Sequence, residues 1–179
     1  MSLQESMTTL VLLTGMAAGA GAQQAAPPPE AKPTAEIKVV TTEPVHALVL
    51  PMKGSYLQHQ AAFERLSAYL AGRGVAPAGA FFGRYFDDPS QGEENLTWEI
   101  GVAVPVSLTA EAPFEIKDLP AMRAAVRVYR GPMEELVAAW PGLIQWVIAN
   151  GYQPVGPAIQ MFNGLPAALE VEMRMPVAQ

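Results

Sequence analysis

The chain has 179 residues, half of them apolar, with 16% charged residues and a formal net charge of −6. This composition belongs to a globular protein, and without any run of Lys and Arg it excludes a binder of phosphate backbones, so no nucleic acid is expected as a partner. The lack of cysteine excludes disulfides and thiolate metal sites.

Thr8 to Gly21 is small and apolar and ends in Ala20-Gly21-Ala22, a cleavage pattern of the A-x-A kind. Residues 1–22 are therefore expected to be a signal peptide and the protein to be exported, to the periplasm. The stretch is too short to span a bilayer, and Glu5 is the charge before it where a signal peptide carries Lys or Arg. Residues 23–35 hold Pro27-Pro28-Pro29 and Pro33 among alanines and read as an extended tether. One folded domain is expected over 36–179.

Within it, Glu36 to Thr41 leads in as a strand, and Val45 to Met52 is a β-branched apolar run that predicts a second. Gly54-Ser55 turns the chain. From Tyr56 to Ala71 the residues Ala62, Phe63, Leu66, Tyr69 and Leu70 recur at helical spacing, and Gly72-Arg73-Gly74 ends the helix. Ala80 to Phe86 predicts a strand, Asp87 to Glu94 a polar hairpin tip in water, and Leu96 to Val104 the returning strand. There Trp98, Ile100, Val102 and Val104 share one face, and Thr97, Glu99 and Gly101 the other.

The order then recurs: a lead-in at Pro113 to Lys117, a strand at Met122 to Tyr129, and proline after Gly131 at a helix start. The second helix is predicted over Met133 to Ala149, kinked at Pro141, with a stripe that includes Leu136, Val137, Trp140, Leu143, Ile144 and Val147. Asn150-Gly151 ends it, and Ala158 to Phe162 with Ala168 to Met175 form the last hairpin.

This recurrence is an internal repeat. Shifted by 77 positions, His46 to Pro89 lies on Arg123 to Pro166 without a gap, placing Gly54 on Gly131, Gly74 on Gly151 and Tyr85 on Phe162. After six loop residues are dropped, Glu99 and Pro105 fall on Glu170 and Pro176. Two strand–helix–strand–strand repeats, about 36–106 and 113–177, predict an α+β fold. Its single curved antiparallel sheet carries two helices on one face and has a pseudo-two-fold axis. The face away from the helices is expected to bear Tyr85 and Phe162, sheltered by curling the sheet into a trough that holds a ligand.

The second copy carries Val128-Tyr129-Arg130-Gly131-Pro132-Met133-Glu134-Glu135-Leu136, Trp146 to Tyr152 ending in Asn-Gly-Tyr, then Gly156-Pro157, Glu170-Val171 and Met175-Pro176-Val177. This pattern resembles the gyrase-inhibitor-like small-molecule-binding domains, which also serve as effector-binding domains of bacterial multidrug-responsive transcription regulators. The resemblance covers residues 36 to 177. It implies the same two-repeat fold and binding of lipophilic, often cationic, aromatic compounds in a central cleft. Where the family carries Glu and, two residues on, Tyr, this chain has Gln160 and Phe162. A neutral amide in place of a carboxylate shifts the expected ligand from cations toward neutral or weakly polar compounds.

The expected ligand-binding set is Tyr56, Tyr85, Trp98, Tyr129, Met133, Trp140, Gln160, Phe162 and Glu170. No catalytic residue, metal or cofactor is expected, and Ser55 with His59 lacks the third group that a hydrolase needs. Glu99 and Glu170 read as solvated sheet residues. The reading is an exported, stand-alone sensor or sequestering domain without a DNA-binding segment, for a lipophilic small molecule. Two alternatives stay open: a hydrolase of reactive hydrophobic compounds using Glu170 or Glu99, and a protein-interaction module.

Overall fold

Strand β1 (Lys38–Thr41) leads into β2 (Val45–Lys53), whose side chains alternate between the two faces of a sheet. Ser55 accepts a hydrogen bond from the Leu57 amide and opens a 3-10 turn at Tyr56–Gln58, which feeds helix α1 (His59–Gly72). Gly74, at φ +66°, takes the left-handed conformation that lets the chain leave the helix. Next come β3 (Phe81–Tyr85), 3-10 turns at Pro89–Gln91 and Glu93–Asn95, β4 (Thr97–Ala103), β5 (Glu115–Leu119) and β6 (Arg123–Arg130). Helix α2 (Leu136–Ala149), β7 (Gln153–Pro154), β8 (Ala158–Asn163) and β9 (Glu170–Ala178) complete the chain.

The computed structural model describes residues 36–132, 135–163 and 170–179. The expected signal peptide, the tether and Met133 lie outside the described residues. Among the described residues no helix is long and apolar enough to cross a membrane.

The strands form one open antiparallel sheet in the order β1-β6-β9-β8-β3-β4-β2-β5, with β7 added beside β9. Outward from the central β3–β8 pair, one side runs β4, β2, β5 and the other β9, β6, β1. The lead-in strands are exchanged: β5 follows the first hairpin and completes its half, while β1, first in the chain, pairs with β6. Gly83 and Gln160, which the sequence places 77 residues apart, face each other at the central pair.

Both helices cover the same face. Helix α1 buries Ala62, Leu66 and Leu70 against Leu48, Leu50, Trp98, Ile100 and Val102. Helix α2 buries Leu136, Leu143 and Val147 against Ala125, Val171, Met173 and Met175. The first helix packs over β2 and β4, the second over β6, β7 and β9, so the β3–β8 pair lies between them. Tyr85 and Phe162 belong to these helix-side clusters. This corrects the expectation that they occupy the opposite face: the strands' alternation places them under the gap between the helices.

The opposite face is held by Ala47, Val49 and Phe82, and Gly101 has no side chain because the Phe82 ring and Val49 fill that space. Glu99 stands on this face and is 2% exposed, which corrects its expected place in water. Arg84, opposite it on β3, donates to one carboxylate oxygen, and Lys117 Nζ reaches across β2 to the other at 2.7 Å. Burial works against the Lys117 ammonium, but hydrogen bonds and charge from Glu99 and Glu115 outweigh it and raise its pKa. The sheet register also revises one alignment. Glu99 faces Arg84 while Glu172 faces Met161, so Glu172, not Glu170, takes the place matching Glu99.

Candidate functional site

The gap between the helices is a cavity of about 450 Å³. Helix α2 supplies Val137, Trp140, Pro141 and Ile144 to one wall, and the other side comes from Tyr56, Tyr85 and Phe86. Among the described residues Asp87 and Asp88 are its charged lining residues, and no Lys, Arg or His lines it.

Tyr85 reaches its position because Gly83, two residues back on the same face, has no side chain. A Cβ on Gly83 would lie 2.8 Å from Tyr85 Cζ and closer still to its hydroxyl. Folded across that glycine, the Tyr85 hydroxyl donates to Gln160 Oε1 at 3.0 Å, and His59 Nε2 stands 2.8 Å from the Tyr85 hydroxyl oxygen. With the phenol proton on the Gln160 side, His59 donates from Nε2–H. Gln160 is therefore paired behind Tyr85 and is not among the residues lining the cavity.

His59 sits among rings, 4.6 Å from Trp98 and 5.4 Å from Tyr85 between centroids. Burial holds its pKa down at about 4, against a smaller opposing contribution from the Tyr56 carbonyl. Burial, with the neighbouring Tyr56, raises the Tyr85 phenol well above its ordinary value. In the unfolded chain His59 takes up a proton below about pH 6.5, whereas in the fold it stays neutral until about pH 4. Stability is thus full above pH 6.5 and falls as pH drops through that window, by on the order of 3 kcal/mol. Denaturant titrations at stepped pH should show this slope in the native chain and a flatter one in His59→Gln; equal slopes would assign the loss to other groups.

Tyr56 presents its ring edge to Tyr85 at 5.1 Å, and its hydroxyl donates to the Asp87 carbonyl at 2.8 Å. Burial, then the charges of Asp87 and Asp88, raise its pKa. The Asp87 carboxylate accepts from the Thr97 hydroxyl and from its amide at 2.7 Å, which holds it below the usual carboxylate range. The Ser90 amide does the same for Asp88 at 2.8 Å. Both carboxylates are fixed in place and ionised at neutral pH.

Of the residues expected at a site, Tyr56, Tyr85 and Trp140 line the cavity together. Trp98 lies in the core beneath, 1% exposed, with its indole N–H on the Gly54 carbonyl at 3.0 Å. Phe162 is half-buried and packs edge-on against Phe63 at 5.1 Å. Tyr129 lies across Gly131 and donates to the Pro132 carbonyl at 2.7 Å. Glu170 forms an ion pair with Arg130 at 2.5 Å. None of these four lines the cavity. Ser55 is engaged with Leu57 and His59 with Tyr85, and among the described residues no group of His, Asp and Glu is placed to hold a metal. Sequence reasoning missed Phe86, Asp87 and Asp88. Their signal was position, directly after a strand that ends in Tyr85.

A family model described as GyrI-like small molecule binding domain matches residues 35–178. The crystal structure of the EcmrR C-terminal domain is similar at a TM-score of 0.72 and 18% identity, covering 81% of this chain and 98% of that one. Against EcmrR bound to DNA the TM-score is 0.71 at 18% identity, and the match covers 80% of this chain but 57% of that one. A hydrolase from Listeria innocua matches at 0.57 and 12% identity, covering 82% and 94%. SAV2435 bound to tetraphenylphosphonium matches at 0.52 and 12% identity, covering 80% and 94%. At these identities the structural likenesses show the fold. No curated protein matches the chain.

Proposed function

Because the chain belongs to the family of GyrI-like small molecule binding domains, we propose that the cavity beside Tyr85 takes a lipophilic aromatic compound. The chain would then serve as an exported domain that senses or sequesters that compound. The observation that carries this reading is the cavity itself, about 450 Å³ and walled by aromatic rings, proline and aliphatic side chains. Such walls and volume suit a small apolar ligand, with a few polar groups fixing its orientation.

The rim bears on the charge of the ligand. Gln160 is occupied by Tyr85, so the cavity floor offers a ring and not a free amide. Asp87 and Asp88 favour a positive group at the entrance, while the rings of Tyr56 and Trp140 attract a cation by its charge. Neutral aromatics fit the same walls. The hydrolase alternative loses its two carboxylates, since Glu99 lies on the other face bound to Arg84 and Lys117, and Glu170 is paired with Arg130.

Thermal unfolding of the full chain tests the reading, with tetraphenylphosphonium and a neutral aromatic such as naphthalene as probes. Ligand at 100 times its Kd should stabilise by roughly 2.7 kcal/mol. Trp140→Ala should bind about tenfold more weakly. No shift with either probe, or an undiminished one in Trp140→Ala, would count against this site.

A further inference from the structure

The mouth of the cavity is apolar on its outside as well. Leu57, next to Tyr56, is 88% exposed, and the lining residues Val137 and Phe86 are 68% and 47% exposed. Val155 lies between Pro154 and Gly156, both in the lining, and is 43% exposed. Ile148, 62% exposed, continues the face of Val137 along α2. The 14 residues of α2 include no charged side chain, and Ala138, Pro141 and Gly142 are also exposed. Exposed large hydrophobic side chains are ordinary when scattered, whereas a contiguous group marks a binding surface. Among the described residues the charges that line the mouth are Asp87 and Asp88, and Glu93 and Glu94 stand exposed in the same hairpin; the nearby Arg84 guanidinium, over the Phe86 ring at 5.3 Å, is already paired with Glu99.

We propose that this mouth is a docking surface for a basic amphipathic helix of a partner protein. Its apolar stripe rests on Leu57, Val137 and Val155, and its Lys or Arg side chains meet Asp87 and Asp88. Charge selects this occupant. A second copy docked mouth to mouth brings Asp87 and Asp88 against their own kind, and an anionic lipid surface meets the same repulsion. A basic helix satisfies both the apolar ring and the carboxylates. Helix α2 offers about 21 Å of uncharged length beside it, enough for anchors at i, i+4 and i+7. The proposal goes beyond small-molecule binding, and a docked helix covers the entrance through which the small molecule passes.

The test is fluorescence anisotropy with a labelled amphipathic helical peptide of leucine and lysine, about 18 residues long. Two controls accompany it: a scrambled peptide of the same composition, and the same pattern with glutamate in place of lysine. The patterned basic peptide should bind and the controls should not. Val137→Asp and the double variant Asp87→Asn with Asp88→Asn should each weaken binding about tenfold or more. The double variant should also flatten the salt dependence. Unfolding midpoints check that both variants fold, and Asn retains the acceptor oxygen that each loop uses. Equal binding of the scrambled peptide, no binding, or indifference to Val137→Asp overturns the proposal. So does self-association or capture on phosphatidylglycerol vesicles that Val137→Asp abolishes in place of peptide binding. A tetraphenylphosphonium shift in the same preparation reads the small-molecule function separately, so either proposal can fail alone.

Discussion

Replacing Gly83 with alanine should lower stability by about 3 kcal/mol or more. The added methyl falls 2.8 Å from Tyr85 Cζ and nearer to its hydroxyl, so the ring has to leave its place across the strand. Two costs then combine. Overfilling a packed site costs about 1–3 kcal/mol. A displaced phenol also leaves Gln160 without its donor and His59 without its partner, each at about 1–3 kcal/mol when buried. Urea unfolding with an unchanged m-value is the measurement. Shortening the obstructing side chain in the same background, Gly83→Ala with Tyr85→Leu, should cost less than the two single changes added together. A loss within about 0.5 kcal/mol for Gly83→Ala would sink the argument. The cavity should lose its ligand along with the wall that Tyr85 provides.

Glu99→Ala should be comparably severe, at about 3–5 kcal/mol, for an electrostatic reason. The carboxylate is 2% exposed and joins Arg84 to Lys117; without it the Arg84 guanidinium stays largely buried with no counter-charge. Among the described residues Arg84 Nε has no hydrogen-bond partner, so Glu99 carries the hydrogen bonding of this guanidinium. Paired replacement, Glu99→Met with Arg84→Met, should recover most of the loss, because two buried charges are removed together. Glu170→Ala is the contrast. Its pair with Arg130 lies at the surface, and its removal should cost less than about 1 kcal/mol. Similar losses at Glu99 and Glu170 would falsify the distinction drawn between them.

The elements were legible because each periodic run is long. Leu66 and Leu70 mark α1, Leu143 and Val147 mark α2, and Trp98, Ile100 and Val102 alternate cleanly along β4. The site was legible only in part. Tyr85 and Trp140 announce themselves as large aromatics on strand and helix, but which sheet face is covered depends on where the helices settle, and no local pattern encodes that. Glu99 read as solvated because its own strand alternates apolar with polar. Its partners come from β3 and from β5, the latter about twenty residues farther on. The Asp87–Asp88 tip carried the composition of any exposed turn. What makes it part of a site is its anchorage to Thr97 and its place beside α2, both long-range facts. The sequence marked Gln160 as a polar handle, yet its Oε1 accepts from the Tyr85 hydroxyl, a partner visible only once β3 and β8 lie side by side.

The exchange of lead-in strands has a consequence for synthesis. As the chain emerges, β1 appears first, but its pairing residue for Lys38 is Val126, on a strand made much later. The first half can meanwhile build β2, α1, β3 and β4, yet its edge is completed by β5, which belongs to the later half. Neither half is self-sufficient. A break in the connection between β4 and β5 should give two fragments, each lacking the edge strand the other carries, that reassociate when mixed. A chain halted before Arg123 has β1 with no strand to join, and that arrested product, more than the finished domain, is the form exposed to wrong pairing with its own kind.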